Sequence, residues 1–228
     1  MMHEGLWEQL DKRNPAETAR RAGCKYICVK EGPDGNDSRS VFDATPGSVP
    51  NGYWVMTFLN REYEIDPVTK SVRIAETSAE KEPVGYLEQL CMLAYLIKAQ
   101  DIPLGDSLVK VEQLPGGDFF FRGIHALPTG ELAEALGEEP ALLLKAGQAL
   151  GGRHCEYGDA SIEVYLLPRL PVTVIIWAGD EEFPSRASIL FDRTAADQIA
   201  LDALGAGVNL MVKALLKYVK HAPPSECW

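Results

Sequence analysis

The chain has 228 residues, 46% of them hydrophobic and 24% charged, which are ordinary proportions for a folded globular protein and too apolar for a disordered one. Thirty-three acidic against 22 basic side chains leave a formal charge of −11 and a pI near 4.9. Neither nucleic acid nor an anionic membrane is an expected partner, because the densest basic cluster (Lys12, Arg13, Arg20, Arg21) reads as the solvated face of one helix.

The length fits a single α+β domain, residues 1–228, with a β-rich N-terminal part (1–78) and a helix/sheet core (79–228) as its natural subdivision. A chain of this size buries roughly 70% of its unfolded surface and needs no staple. Its five cysteines (Cys24, Cys28, Cys91, Cys155, Cys227) are odd in number, as expected for reduced thiols in a cytoplasm. The first eleven residues carry no signal-like apolar run. The apolar stretches around 90–97 and 172–178 fall far short of the roughly 20 residues that a membrane helix requires. A cytoplasmic protein is therefore expected.

In chain order, Asn14-Pro15-Ala16-Glu17 predicts a helix start, with Asn14 as cap, Pro15 at the first position and Glu17 completing a capping box. Gly23 closes that helix, and 24–30 alternates as a strand does. A loop is expected at 32–38. Short strands follow at 40–42, 53–59, 61–65 and 71–75, the last two joined by an Asp66-Pro67 turn. Pro83 opens a helix whose apolar positions (Leu87, Leu90, Cys91, Ala94, Ile97) recur at three and four. Residues 108–113 and 119–124 read as strands around Pro115-Gly116-Gly117, and Pro140 opens a helix over 141–150 that Gly151-Gly152 ends. Strands are expected at 161–167, 171–178 and 186–190. The β-branched run from Val172 to Trp177 predicts burial on both faces. A long helix over 202–220 carries the stripe Leu204, Val208, Met211, Leu215, Val219, and Gly205 and Gly207 predict its close approach to the sheet. The fold class is α+β: a mixed or antiparallel sheet flanked by helices, with the C-terminal helix packed on it.

Chemistry-bearing constellations are sparse. Asp180, Glu181 and Glu182 form an acidic turn leaving the most buried strand, a pattern that serves acid–base chemistry or a hard cation, or simply solvates a turn. Asp192 follows an apolar strand and could equally cap the next turn. Either His125 or His154 could serve as a ligand or a base, but a lone histidine is more commonly structural. Cys24 and Cys28, if on a strand, share a face but stand roughly 13 Å apart at about 3.3 Å per residue. One zinc ion, needing each sulfur at about 2.3 Å, cannot take both. With His154 and Cys155 these are the weak metal candidates. No phosphate-binding glycine loop, nucleophile elbow or H-E-x-x-H motif is present.

Several stretches nonetheless resemble a family of domains of unknown function: Leu167-Pro168-Arg169-Leu170-Pro171, Trp177 to Pro184, and Ala187 to Asp192. Phe121-Arg122-Gly123-Ile124-His125, Leu150-Gly151-Gly152, Gly158-Asp159-Ala160 and Tyr95-Leu96 add to the resemblance, which covers the chain from about Gly52 onward. It implies an occurrence mainly in anaerobic bacteria and archaea. It also implies a neighbourhood of one-carbon or corrinoid metabolism, since some relatives look fused to four-cysteine iron–sulfur modules. This chain has no close four-cysteine run, so any such cluster would come from a partner.

Three functional readings follow. The first is an accessory protein without chemistry of its own that binds a small-molecule cofactor or a partner protein, through Arg122, His125, Trp177, Asp180, Glu181, Glu182 and Asp192. The second is an enzyme using Asp180 or Glu182 with His125 as acid–base or metal site, which requires these groups at hydrogen-bond range. The third is a purely structural subunit. The identity of any cofactor is left open.

Overall fold

The computed structural model describes residues 3–30, 38–41, 51–75, 83–105 and 107–221. The expected loop at 32–37, Phe42 at the end of one expected strand, and the tail from 222 with Cys227 lie outside them. The described residues form eight α-helices and two five-stranded antiparallel sheets, one in the expected β-rich N-terminal part and one in the helix/sheet core.

The chain enters through α1 (Glu4–Asp11), which the sequence reading missed and which buries Trp7 and Leu10. Helix α2 (Pro15–Ala22) starts and stops as expected: Asn14 Oδ1 accepts from the Glu17 amide at 3.0 Å, and Gly23 closes the helix at φ 64°. The predicted capping box is only half made, because the Glu17 carboxylate pairs with Arg20 instead. The first sheet then runs in the order β2-β1-β3-β4-β5, built from β1 (Lys25–Lys30), β2 (Ser38–Val41), β3 (Gly52–Phe58), β4 (Arg61–Asp66) and β5 (Ser71–Ile74). Asp66 Oδ1 holds the β4–β5 turn by accepting from the amides of Val68 and Thr69. Helix α3 (Tyr86–Lys98) is buried on nearly all sides over Cys91–Leu96, because α1, α2 and the C-terminal helix all pack on it.

The two strands expected around Pro115-Gly116-Gly117 are largely replaced. Only β6 (Leu108–Lys110) forms; 111–113 is a 3-10 turn, followed by α4 (Gly117–Phe120) and a second 3-10 turn at Gly123–His125. The cause is a tight reversal. Gly116 takes φ 78°, and the Val111 carbonyl oxygen lies 1.8 Å from where a Cβ of residue 117 would stand. Helical coiling also sorts three consecutive phenylalanines, burying Phe121 and leaving Phe119 in solvent. Helix α5 (Thr129–Leu136) was not anticipated, whereas α6 (Ala141–Ala149) was.

The second sheet has the order β6-β10-β9-β8-β7, with β7 (Arg153–Cys155), β8 (Ala160–Leu167), β9 (Leu170–Trp177) and β10 (Arg186–Asp192). After the short α7 (Ala195–Gln198), α8 (Leu201–His221) packs on α3 and α6 and reaches the sheet. A Cβ at Gly207 would come within 2.7 Å of the Leu166 side chain, so this glycine sets the predicted close approach. Gly205 faces the Phe121 ring rather than the sheet. Helices α5, α6 and α8 cover the inner face, onto which Ile162, Val164, Leu166, Val172, Val174 and Ile176 project. The two sheets meet where β3 reaches β8, with the Leu59 amide donating to the Leu166 carbonyl at 3.2 Å. The buried apolar side chains of both belong to one connected cluster.

Candidate functional site

Side chains alternate across a strand, so the opposite face of the second sheet carries the other half of each sequence: Ser161, Glu163 and Tyr165 from β8, and Pro171, Thr173 and Ile175 from β9. Among the described residues no helix lines a cleft of about 260 Å³ on this outer face, which the sheet, Leu104, Gly105, Ser107, Leu108 and the strand ends form. Arg153 and Cys155 of β7 close one side and Asp192 of β10 the other.

Each wall is held by a local device. Ser161 Oγ accepts from the Tyr157 amide (2.9 Å) and donates to the Cys155 carbonyl (2.8 Å), which fixes the β7–β8 turn and brings Tyr157 to the mouth. Glu163, 11% exposed, receives two hydrogen bonds from the Arg153 guanidinium, at 2.8 and 3.1 Å. That fork-to-fork contact orients both side chains and raises the Arg153 pKa, chiefly through the hydrogen bond to Glu163. Burial pushes the Cys155 thiol up, with Glu163 adding to the rise. On the far wall, Asp192 is 4% exposed and its Oδ1 takes three donors: the Gly105 amide (3.1 Å), the Thr194 amide (2.9 Å) and the Thr194 hydroxyl (2.5 Å).

Two polar atoms of the floor are left over. Thr173 is 1% exposed, and neither its Oγ1 nor Asp192 Oδ2 is hydrogen-bonded to any described residue; both residues line the cleft. The fully enclosed side-chain polar atoms without a partner among the described residues are Thr18 Oγ1 and Arg169 Nε, so these two floor atoms meet water through the open cleft. The cleft thus presents unbonded polar atoms on its floor.

The structure brings together only two of the residues singled out from sequence, Asp192 and Cys155. Asp192 caps the turn at Thr194 through Oδ1, as one of its two sequence readings expects, and also lines the cleft. Asp180, Glu181 and Glu182 lie elsewhere, on an exposed turn. There Asp180 Oδ1 accepts from the amides of Phe183 (2.7 Å) and Glu182 (2.8 Å), and these bonds hold its carboxyl below the usual aspartate range. Trp177 ends β9 half-buried with the Arg186 guanidinium over its ring, 4.5 Å from the centroid. His125 is exposed and stacks on Phe120 (5.0 Å between centroids); no hydrogen bond or ion pair joins it to the acidic turn. Arg122 is solvated and pairs at 3.9 Å with Asp118, a contact of small energetic weight. Cys24 lies half-buried just before β1, with burial pushing its thiol up to about 12, and Cys28 is buried inside the strand. His154 and Cys155 are successive strand residues and point to opposite faces. Among the described residues no group of three or more His, Cys, Asp or Glu side chains is placed to hold a metal ion.

Sequence reasoning missed Arg153, Tyr157, Glu163, Tyr165 and Thr173. A signal existed in the polar residues recurring at every second position of an apolar strand, Ser161-x-Glu163-x-Tyr165, with Thr173 inside the β-branched run. A model of a domain of unknown function, DUF3786, matches residues 37–214. The chain belongs to the DUF3786 family. The match begins well before the stretches that carry the resemblance and takes in the second sheet, the first sheet except β1, and the described lining of the cleft. No curated protein and no solved structure matches the chain.

The DUF3786 resemblance stretches also meet one another in space. Tyr95, fully buried, donates to the Ala22 carbonyl (2.8 Å) and accepts from the Arg169 amide (3.0 Å), which joins α3 to the β8–β9 turn. Asp159 Oδ2 accepts from the Ala178 amide at 2.8 Å, tying the start of β8 to the end of β9. Arg169 further pairs with Asp101 at 2.6 Å, and Asp101 is bound in turn by Arg20. These positions are joints of the architecture.

Proposed function

We propose that this DUF3786 protein is an accessory protein that binds a small polar molecule in the outer-face cleft, without chemistry of its own. The setting we propose is the anaerobic one-carbon or corrinoid metabolism that the resemblance implies, with any iron–sulfur cluster carried by a partner protein. The observation that carries the binding role is the cleft itself, on whose floor Thr173 Oγ1 and Asp192 Oδ2, from two nearly buried residues, meet no described protein partner.

The lining supports binding over catalysis. Among its described residues there is no histidine, the Cys155 thiol is pushed up by burial, and Glu163 is committed to Arg153. The volume, about 260 Å³, lies just below the roughly 300–1,000 Å³ of sites that enclose drug-sized ligands. A metabolite of amino-acid size fits; a corrinoid macrocycle does not. In a corrinoid setting the cleft would therefore serve a small reactant or regulator rather than the macrocycle itself.

The test is to purify the protein from an anaerobic host, denature it, and identify released small molecules by mass spectrometry beside an absorption spectrum and metal analysis. The proposal expects a stoichiometric small molecule that is lost from the Thr173→Val protein. A colourless, metal-free protein that releases nothing and gains no thermal stability from small polar metabolites would overturn it.

A further inference from the structure

We infer that the molecule held in the outer-face cleft is a small organic cation, an alkylammonium or guanidino compound, with Asp192 as its counter-charge. This inference rests on the binding role proposed above and adds the ligand's charge.

Among the described residues, three charged side chains line the cleft: Arg153, Glu163 and Asp192. The first two close on each other through two hydrogen bonds and cancel. Asp192 has no such partner: its three donors are a hydroxyl and two backbone amides, and no Lys, Arg or His among the described residues forms an ion pair with it. The described lining thus carries one net negative charge, at a residue 4% exposed and inside a chain whose formal charge is −11, while the Arg193 side chain packs on Gly105 outside the lining. A low-dielectric site strengthens that field, so an anionic ligand is repelled and a cation drawn in.

A bare metal ion fits poorly. A hard cation takes six or more oxygen ligands, and no three acidic, Cys or His side chains converge here among the described residues. An organic cation matches what is present. Its N–H groups meet Asp192 Oδ2 in a charge-assisted hydrogen bond and Thr173 Oγ1 in a neutral one. Its carbon skeleton meets Leu104, Leu108 and Pro171, and the half-exposed rings of Tyr157 and Tyr165 line the same cleft, where aromatic faces favour ammonium and guanidinium groups.

The test uses three probes of one shape and different charge, n-butylammonium, n-butanol and butyrate, titrated into the ¹⁵N-labelled full chain at up to about 10 mM, above a fragment Kd of ~1 mM. We expect n-butylammonium alone to shift the amides of Gly105, Thr173, Asp192 and Thr194 saturably, with an affinity that falls as salt rises. Asp192→Asn keeps an acceptor for Gly105 and Thr194 while removing the charge, and should weaken n-butylammonium binding about tenfold or more. Should that variant fail to fold, Thr173→Val, which touches none of the Asp192 bonds, should weaken it severalfold. Butyrate or n-butanol binding in the cleft as well as n-butylammonium would overturn the charge assignment and leave the binding role standing. If no probe moves these amides while a molecule still co-purifies, the ligand class is wrong. If nothing binds and nothing co-purifies, the binding role falls with it.

Discussion

Val172, Val174 and Ile176 on one face of β9 and Pro171, Thr173 and Ile175 on the other are almost equally shielded from water, but different things shield them. The inner set is packed against helices and belongs to the connected apolar core. Of the outer set, Pro171 and Thr173 lie beneath a cleft walled by Arg153, Glu163, Tyr165 and Asp192, where Thr173 Oγ1 and Asp192 Oδ2 meet no described partner. One strand therefore does two jobs. Burial on the inner face is bought with dispersion and the hydrophobic effect; burial on the outer face leaves hydrogen-bonding capacity for something else.

Mutations that separate stability from binding break this comparison if it is wrong. The largest effect is expected on the inner face, where Ile176→Ala leaves a cavity in a packed core and costs about 2–5 kcal/mol in denaturant unfolding. Ligand binding by the folded fraction should be unchanged. Gly147→Ala follows: its new Cβ would stand 2.6–2.8 Å from the branched Ile162 side chain, which has little freedom to move. Overpacking of about 1–3 kcal/mol exceeds the ~1 kcal/mol gained in helix propensity, so the midpoint should fall. On the outer face, Thr173→Val replaces an unbonded hydroxyl by a methyl group of the same shape and should change stability by no more than about 0.5 kcal/mol while binding drops. An inner-face variant that abolishes binding, or a Thr173→Val protein that unfolds, would show that the two faces are not separable.

Cysteine chemistry sharpens the same contrast. Burial pushes Cys155 up, so its alkylation by iodoacetamide should be slow near neutrality and speed up as pH rises through and beyond the ordinary cysteine range, and a ligand in the cleft should protect it. Cys91, buried on α3 and raised to about 12, should stay inert in the folded protein with or without ligand.

The smallest effect belongs to the acidic turn. The carboxyl of Asp180 is held below its ordinary value of 3.8 by the Phe183 and Glu182 amides. Its folded pKa is depressed, so the contribution is complete above the unfolded value and is lost as pH falls through the folded one. Asp180→Ala should therefore speed amide exchange at Glu182 and Phe183 at neutral pH and leave cleft binding unaltered. Loss of binding in that variant would return the turn to the functional site.

Much of this architecture was legible in the sequence. The β-branched run announced a strand buried on both faces, and Asn14, Gly23 and Pro140 marked helix ends, because these signals act over a few residues. The 108–125 segment misled because Phe119-Phe120-Phe121 looks like a strand, while its path is set by Gly117 packing on the Val111 carbonyl, a contact no local pattern shows. The site was hidden for a related reason. Arg153, Glu163, Thr173 and Asp192 come from four strands, and only the sheet order β10-β9-β8-β7 lines them up across one face. The acidic turn drew notice because its charges are adjacent in sequence, whereas the cleft's charges are adjacent only in space.

The most direct test of the outer-face cleft is a crystal structure of the protein as purified, with whatever it retains. The account predicts density for a small molecule within hydrogen-bond distance of Thr173 Oγ1 and Asp192 Oδ2. Ordered water alone in the cleft, with a bound molecule instead bridging His125 and the Asp180–Glu182 turn, would contradict it.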